Sequence, residues 1–444
     1  MAGGVGSGRA SGAPGQPVSV EVLPNGVTLA VDSSPAPGSV ALGVFVPVGS
    51  QDERDRAQWG WAHLLEHMVF KGAGPWDVDG VAAVMDDLGG EVNAFTTREY
   101  TCFYAKVLEP LGCRAADLLW TLVTAPRLEA GELAKERAVV LEEMAEARDD
   151  IEDVTEQRYM EALWADDALR HDILGAPGAI RRVSAAALRG FWETAYSQAP
   201  PVCVVAGSGA AEVARRWREA LQRPRYRGPR RTAGGWRPAP REVVKRQAAE
   251  QVHVLMGREG PALTGADYWE QLVLSLVLGG QNTSRLWLRL REQEGLAYTV
   301  GAALNSYGGW GETDIALTVR PDNLARAVAV AGEEVRRLAG EGPTEAEVGR
   351  AVTALTSNLV FGLETPDGRM QRLGRWLLLE RLPPDLAAVT ARLAQVTPAA
   401  VQAAARRTWL DPGRLAVALV GPVPRGAPAA RSWWGSDGRP SPTT

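Results

Sequence analysis

Several classes of protein are excluded by what this sequence has little of. Only three cysteines occur in 444 residues, Cys102, Cys113 and Cys203, and none stands in a Cys-x-x-Cys pair. So sparse and odd a count excludes a disulfide scaffold. It suits a reducing, cytoplasmic setting in which the three are small buried residues. No apolar run reaches the roughly 18–20 residues of a spanning helix, so no membrane segment is expected. Charge of either sign is not in large excess: the net charge of -5 argues for neither nucleic acid nor a membrane surface as partner. What remains, 45% hydrophobic and 23% charged residues, is enough chain for a large buried core and about two to four domains.

The chain opens on a small, Gly-rich stretch over residues 1–16 that lacks an apolar core and reads as a disordered leader, not a signal peptide. A hairpin is then expected, "PVSVEVL" and "VTLAVDS" alternating about Pro24-Asn25-Gly26, followed by a strand in "SVALGVFVPVGS". Helical patterns occupy Val78–Leu88, Glu109–Thr124 and Gly131–Trp164, and a second hairpin pairs "EVNAFT" with "YTCFYAKV". Residues 222–246 are rich in Arg, Pro and Gly with sparse aromatics, which reads as a linker more readily than as a nucleic-acid contact.

Two segments repeat one unit. "VSAAALRGFWETAYSQAPPVCVVAG" (Val183–Gly207) and "VTPAAVQAAARRTWLDPGRLAVALVG" (Val396–Gly421) share Val-Ser/Thr, an Ala-rich helix, an aromatic at one offset (Tyr196, Trp409) and a strand closed by Gly. The expected fold is therefore α+β. Two homologous α/β-sandwich-like domains, 17–221 and 247–421, each carry a mainly antiparallel sheet packed with helices, and 422–444 forms a disordered tail.

Histidine is as scarce as cysteine, with four in the chain, yet His63 and His67 stand four apart in "WAHLLEHMVFKG". On a helix, Trp61, Leu64, Leu65 and Met68 form an apolar stripe, while His63, Glu66, His67 and Phe70 form the opposite one. Two imidazoles one turn apart suit a single metal ion at about 2.0–2.1 Å. A neighbouring carboxylate can take a proton from water that the metal activates. A third ligand is needed. In "KERAVVLEEMAEARDD", Glu136, Val140 and Glu143 share a helix face, but in so acidic a segment periodicity alone does not single out one acid.

These motifs, in this order, resemble the pitrilysin/insulinase-type zinc metallopeptidases, which include the mitochondrial processing peptidases and their bacterial relatives. "HLLEHMVFKG" is similar to the inverted-zincin motif. "VNAFTTREYTCFYAKVL", "ERAVVLEEM", "LRHDILGAPGAIRRVS" and "LGGQNTSRLWLRLREQEGLAYTVGA" are similar to further family segments, from about Pro17 to Gly421. Gln281 and Asn282 depart from the Gly and Met/Ser of many relatives.

The resemblance implies one Zn²⁺ per chain on His63, His67 and Glu143, with Glu66 as general base and Glu136 supporting the site. It implies substrate contacts on the strand of Asn93, Ala94 and Phe95 and at Phe70, and an Arg291/Tyr298 pair that approaches substrate beside the zinc. On residue type alone, Arg291 reads as a surface helix charge and Tyr298 as a core residue. The expected activity is endopeptidase cleavage of peptides or unstructured segments. The expected assembly is a homodimer with composite sites; a heterodimer with a homologous chain, or a non-catalytic core subunit of the same fold, is the alternative.

Overall fold

The structure, a computed structural model, describes residues 17–226, 228, 235–426 and 429–434. Alternating sequence became strands where expected: β1 (Val18–Val22), β2 (Thr28–Asp32), β3 (Ser39–Val46), β4 (Glu91–Thr96), β5 (Thr101–Leu108) and β6 (Val202–Gly207). These form one sheet in the order β1-β2-β6-β3-β5-β4, antiparallel except for the β2–β6 pair. A second sheet has β7 (Glu242–Arg246), β8 (Val252–Glu259), β9 (Ala297–Ser306), β10 (Gly311–Val319) and β11 (Ala416–Gly421) in the order β7-β11-β8-β10-β9, with only β7–β11 parallel. Mixed α/β architecture with two sheets and many helices is thus what the chain adopts. Among the described residues no helix is long and apolar enough to cross a membrane.

The internal repeat is physical. Ser184 caps the helix Ala185–Ala195 by accepting from Ala187 N, and Thr397 caps Pro398–Trp409 by accepting from Ala400 N. Tyr196 and Trp409 are both buried. Each strand then ends on a glycine with positive φ, Gly207 at 109° and Gly421 at 123°. There a Cβ would lie 2.5 Å from Ser39 O and 2.4 Å from Gln251 O, respectively.

The compact units do not follow the repeat boundaries. The chain divides into Met1–Met144, Asp172–Arg231 and Val360–Pro384 as one unit, and Ala145–His171, Thr232–Leu359 and Asp385–Thr444 as the other. The helical run expected over Gly131–Trp164 is two helices, Ala130–Asp149 and Ile151–Leu163. Asp150 takes an extended backbone between them and its carboxylate accepts from Glu152 N and Asp153 N.

In the first unit, helices including Trp61–Val69, Gly112–Thr124 and Ala185–Ala195 cover one face of the sheet. Its other face receives Pro366–Leu377, whose Met370, Leu373 and Leu377 pack on Ala41, Phe45 and Val204. In the second unit, Tyr268–Gly279, Leu324–Glu341 and Pro398–Trp409 cover one face. The other takes Ile151–Leu163, with Tyr159 and Leu163 against Leu255, Ala416 and Ala418. Each sheet therefore carries a helix from the opposite half of the sequence.

Two further expectations change. The linker over 222–246 ends in strand β7, whose Glu242 pairs in register with Val417; its residues 227 and 229–234 lie outside the described residues, as does the leader 1–16. Within the expected tail 422–444, Ala430–Trp434 is a short helix with Trp433 and Trp434 buried, Trp434 Nε1 donating to Trp409 O. Two large rings recover enough apolar burial to order so short a segment. Residues 427–428 and 435–444 lie outside the described residues.

Candidate metal centre

The His-bearing segment folds as a helix over Trp61–Val69. Its apolar stripe drives this: Leu64, Leu65 and Met68 are wholly buried. A buried carboxylate, Glu53, satisfies the first turn by accepting from Gly60 N and Ala62 N, both at 2.9 Å. The opposite stripe faces the helix Ala130–Asp149. There His63 Nε2 and His67 Nε2 are 3.2 Å apart, and Glu143 Oε2 lies 4.0 Å from the first and 3.6 Å from the second. Tetrahedral bonds of about 2.0–2.1 Å to one zinc ion would set ligand atoms about 3.3 Å apart. Of the described residues, this is the group of three that could hold a metal ion.

The proton inventory fits a cation as well. His67 Nδ1 lies 3.0 Å from Glu136 Oε1. An ionised carboxylate can only accept, so Nδ1 is the nitrogen that donates; in that tautomer of the neutral ring Nε2 presents a lone pair to the cluster. His63 Nδ1 is buried without a protein partner, and burial, then the neighbouring His67, pushes the His63 pKa down to about 3. A neutral His63 so close to the lone pair of His67 is a ready ligand. The residues present therefore fit zinc.

Glu136 is anchored twice. Its second oxygen pairs with Lys71 Nζ at 3.0 Å, and its side chain is only 6% exposed. Lys71 was not singled out from the sequence, although it lies four residues past His67, two beyond the end of the helix, where the spacing could have revealed it. Glu66 sits beside the ligands. Burial raises its carboxyl above the usual carboxylate range, opposed by a hydrogen bond from Thr96 and by His67, and assisted by Glu143. Thr96 was also missed: it lies in the quoted "EVNAFT", and strand alternation could have placed it on the cluster side.

The remaining site expectations are only partly gathered here. β4 is an edge strand, as the substrate-strand reading requires. Yet side chains alternate along it. Val92 and Ala94 pack on the side of the His-bearing helix, whereas Phe95 joins Tyr100 and Tyr104 on the opposite face. The Phe95 side chain is thus turned away from the cluster. Asn93, an odd-numbered residue like Phe95, accepts through Oδ1 from Ala94 N at 2.8 Å. Phe70 lies just past the helix end, half-buried and 6.3 Å from the Phe103 ring.

Arg291 and Tyr298 belong to the second unit and meet one another. Arg291 occupies a π-helical stretch, Trp287–Gln293, donates to Tyr298 O at 2.9 Å, and lies 4.3 Å from the Trp287 ring. Tyr298 is 68% exposed, which excludes a core role for its phenol.

A duplicated α/β chain with a two-histidine, one-carboxylate cluster in its first half defines a class of candidate metalloprotein; comparison with known proteins narrows it. Residues 28–177 match the model of the insulinase family, peptidase family M16, and residues 182–355 match the peptidase M16 inactive domain. An uncharacterized zinc protease of Mycobacterium tuberculosis is 35% identical over 408 residues, 90% of this chain and 92% of that protein. Another from Bacillus subtilis is 30% identical over 360 residues, 80% of this chain and 87% of that one. The chain belongs to peptidase family M16. A solved structure of a peptidase M16 inactive domain from Pseudomonas fluorescens covers 93% of this chain and all of its own, at TM-score 0.83 and 19% identity. A protease from Helicobacter pylori matches at TM-score 0.82 and 18% identity over 91% of this chain and 99% of its own. At those identities they establish a shared fold.

Proposed function

We propose that this chain is a zinc-dependent endopeptidase acting on peptides or unstructured protein segments. The observation that carries the reading is the convergence of His63, His67 and Glu143 at metal-ligand spacing, with Glu66 on the same helix face. Relatives named zinc proteases support it.

His63, His67 and Glu143 would hold a zinc ion, which would supply a Lewis acid able to lower the pKa of water from about 15.7 to about 7 and to polarise a carbonyl. Glu66 accepts the proton from the attacking water and returns it to the leaving amine. Its raised pKa suits an acid that must hold a proton between those two transfers. Glu136 keeps His67 in the tautomer whose Nε2 is free to ligate. The free edge of β4 receives the substrate main chain as an added strand, so that affinity comes from backbone hydrogen bonds and depends weakly on sequence. Arg291 and Tyr298, exposed and paired, donate to the developing oxyanion in a second copy of the chain, each such donor being worth about 3–4 kcal/mol.

Glu66→Gln tests the reading. The variant keeps its zinc and loses turnover of a quenched peptide by about 10²–10⁴-fold, the usual size of a general acid–base contribution. Turnover near that of the unaltered protein, in a sample shown to hold zinc, refutes Glu66 as the base.

A further inference from the structure

We propose that Thr96, backed by Thr101, is a positioning residue that assigns the two oxygens of Glu66 to different tasks. The inference rests on Glu66 being the base. It starts from the register of the β4–β5 hairpin, in which Thr96 faces Thr101 directly. Alternation puts Thr96 on the same side of the sheet as Val92 and Ala94, toward the His-bearing helix.

The hydroxyl of Thr96 donates to Glu66 Oε2. Thr101 is wholly buried, and its own hydroxyl donates to Val48 O at 2.9 Å. With that proton committed to a main-chain carbonyl, the Thr101 oxygen, 3.3 Å from Thr96 Oγ1, can only accept. The Thr96 proton thus has two acceptors, a carboxylate and a neutral hydroxyl. The charged one wins, since charge-assisted hydrogen bonds are about twice as strong as neutral ones.

Two consequences follow for Glu66. Its side chain has three rotatable bonds, and free rotation would scatter the carboxylate over several wells. The Thr96 bond selects one. It also occupies Oε2 on the side of the sheet, leaving Oε1 for the proton in transit. When Oε1 is protonated, Oε2 is the carbonyl oxygen of the acid and still accepts from Thr96. The same hydrogen bond therefore serves both protonation states, and Glu66 need not reorient between taking the proton from water and delivering it to the amine nitrogen as the C–N bond breaks.

The test compares Thr96→Val, which keeps the β-branched shape and removes the hydroxyl, with Thr96→Ser, which keeps the hydroxyl. Each variant of the full chain is loaded with zinc and measured for kcat and KM on a quenched peptide, for zinc content and for Tm. Thr96→Val should lower kcat about 10–100-fold, the scale of a small misplacement of a reacting group, with KM and zinc content unchanged. Thr96→Ser should regain most of that loss. If Thr96→Val misfolds, Thr96→Ala removes the same hydroxyl without adding bulk, and the same outcomes apply. Unchanged kcat in Thr96→Val or Thr96→Ala, where Glu66→Gln is inactive, overturns the positioning role. A loss that Thr96→Ser does not recover also overturns it, since shape and not the hydroxyl would then be at issue. An active Glu66→Gln would instead overturn the base assignment on which the inference rests.

Discussion

Replacing Glu136 by Gln should weaken zinc binding although Glu136 is not one of the three ligands. In the structure Glu136 Oε1 lies 3.0 Å from His67 Nδ1 and Oε2 lies 3.0 Å from Lys71 Nζ, with the side chain 6% exposed. The carboxylate is therefore largely shielded from solvent, while Lys71 is 31% exposed. A glutamine keeps an amide oxygen that can accept from Nδ1–H, so the shape of the contact survives. What disappears is the negative charge that raises the basicity of Nε2 and pairs with Lys71. Partners of this kind behind metal-bound histidines are worth about 10–100-fold in metal affinity, or about 1.4–2.8 kcal/mol at tenfold per 1.4 kcal/mol. Competition against a chromogenic chelator at neutral pH measures the zinc Kd directly, and apo-protein Tm reports folding separately. An unchanged Kd in a folded Glu136→Gln protein refutes the reasoning. It would leave Glu136 as no more than a buried partner for Lys71. Lys71→Met serves as the comparison: it strands the buried carboxylate with His67 alone, and should lower the apo-protein Tm.

Two other outcomes are expected. Burial, with Glu156 adding to it, raises the Asp314 pKa from 3.8 to about 7. The folded chain then holds a proton that the unfolded chain releases, so this contribution is fully present below about pH 4 and is lost as pH rises through about 7, on the order of 4 kcal/mol at most. Urea unfolding at pH 5 and pH 8 should show a smaller drop for Asp314→Asn than for the unaltered protein; equal drops refute it. If Arg291 and Tyr298 serve the zinc of a second copy, mixing inactive Glu66→Gln chains with inactive Tyr298→Phe chains restores activity, because one site of each mixed dimer is intact. No recovery after verified exchange refutes a site composed of two copies of this chain.

The parts of the fold that were legible are those governed by a local period. The helix around His63 and His67 announces itself by four apolar residues at helical spacing, and β1 and β2 by alternation about Asn25-Gly26. Glu143 is different. Its face on the helix follows from periodicity, but the choice among neighbouring acids came only from the resemblance. Three features escaped for physical reasons. The break at Asp150 depends on one side chain capping the next helix inside an otherwise continuous helical run. The helix Ala430–Trp434 is too short to show a period. Amphipathicity in Ile151–Leu163 and Pro366–Leu377 marks an apolar face without saying which sheet it will cover, because that depends on contacts distant in sequence. Phe95 was read as part of a motif; its parity along β4 sends its ring to the face opposite the cluster.

The exchange of those two helices has a consequence for how the chain can be divided. Ile151–Leu163 precedes the boundary between the repeats yet belongs to the second sheet, and Pro366–Leu377 follows it yet belongs to the first. Severing the peptide bond between Arg231 and Thr232 would therefore release no self-sufficient half. Either fragment alone would leave one sheet face bare and carry one orphaned apolar helix, whereas the two together hold every piece. The repeats follow one another in the sequence, yet neither contains all the helices that cover its own sheet.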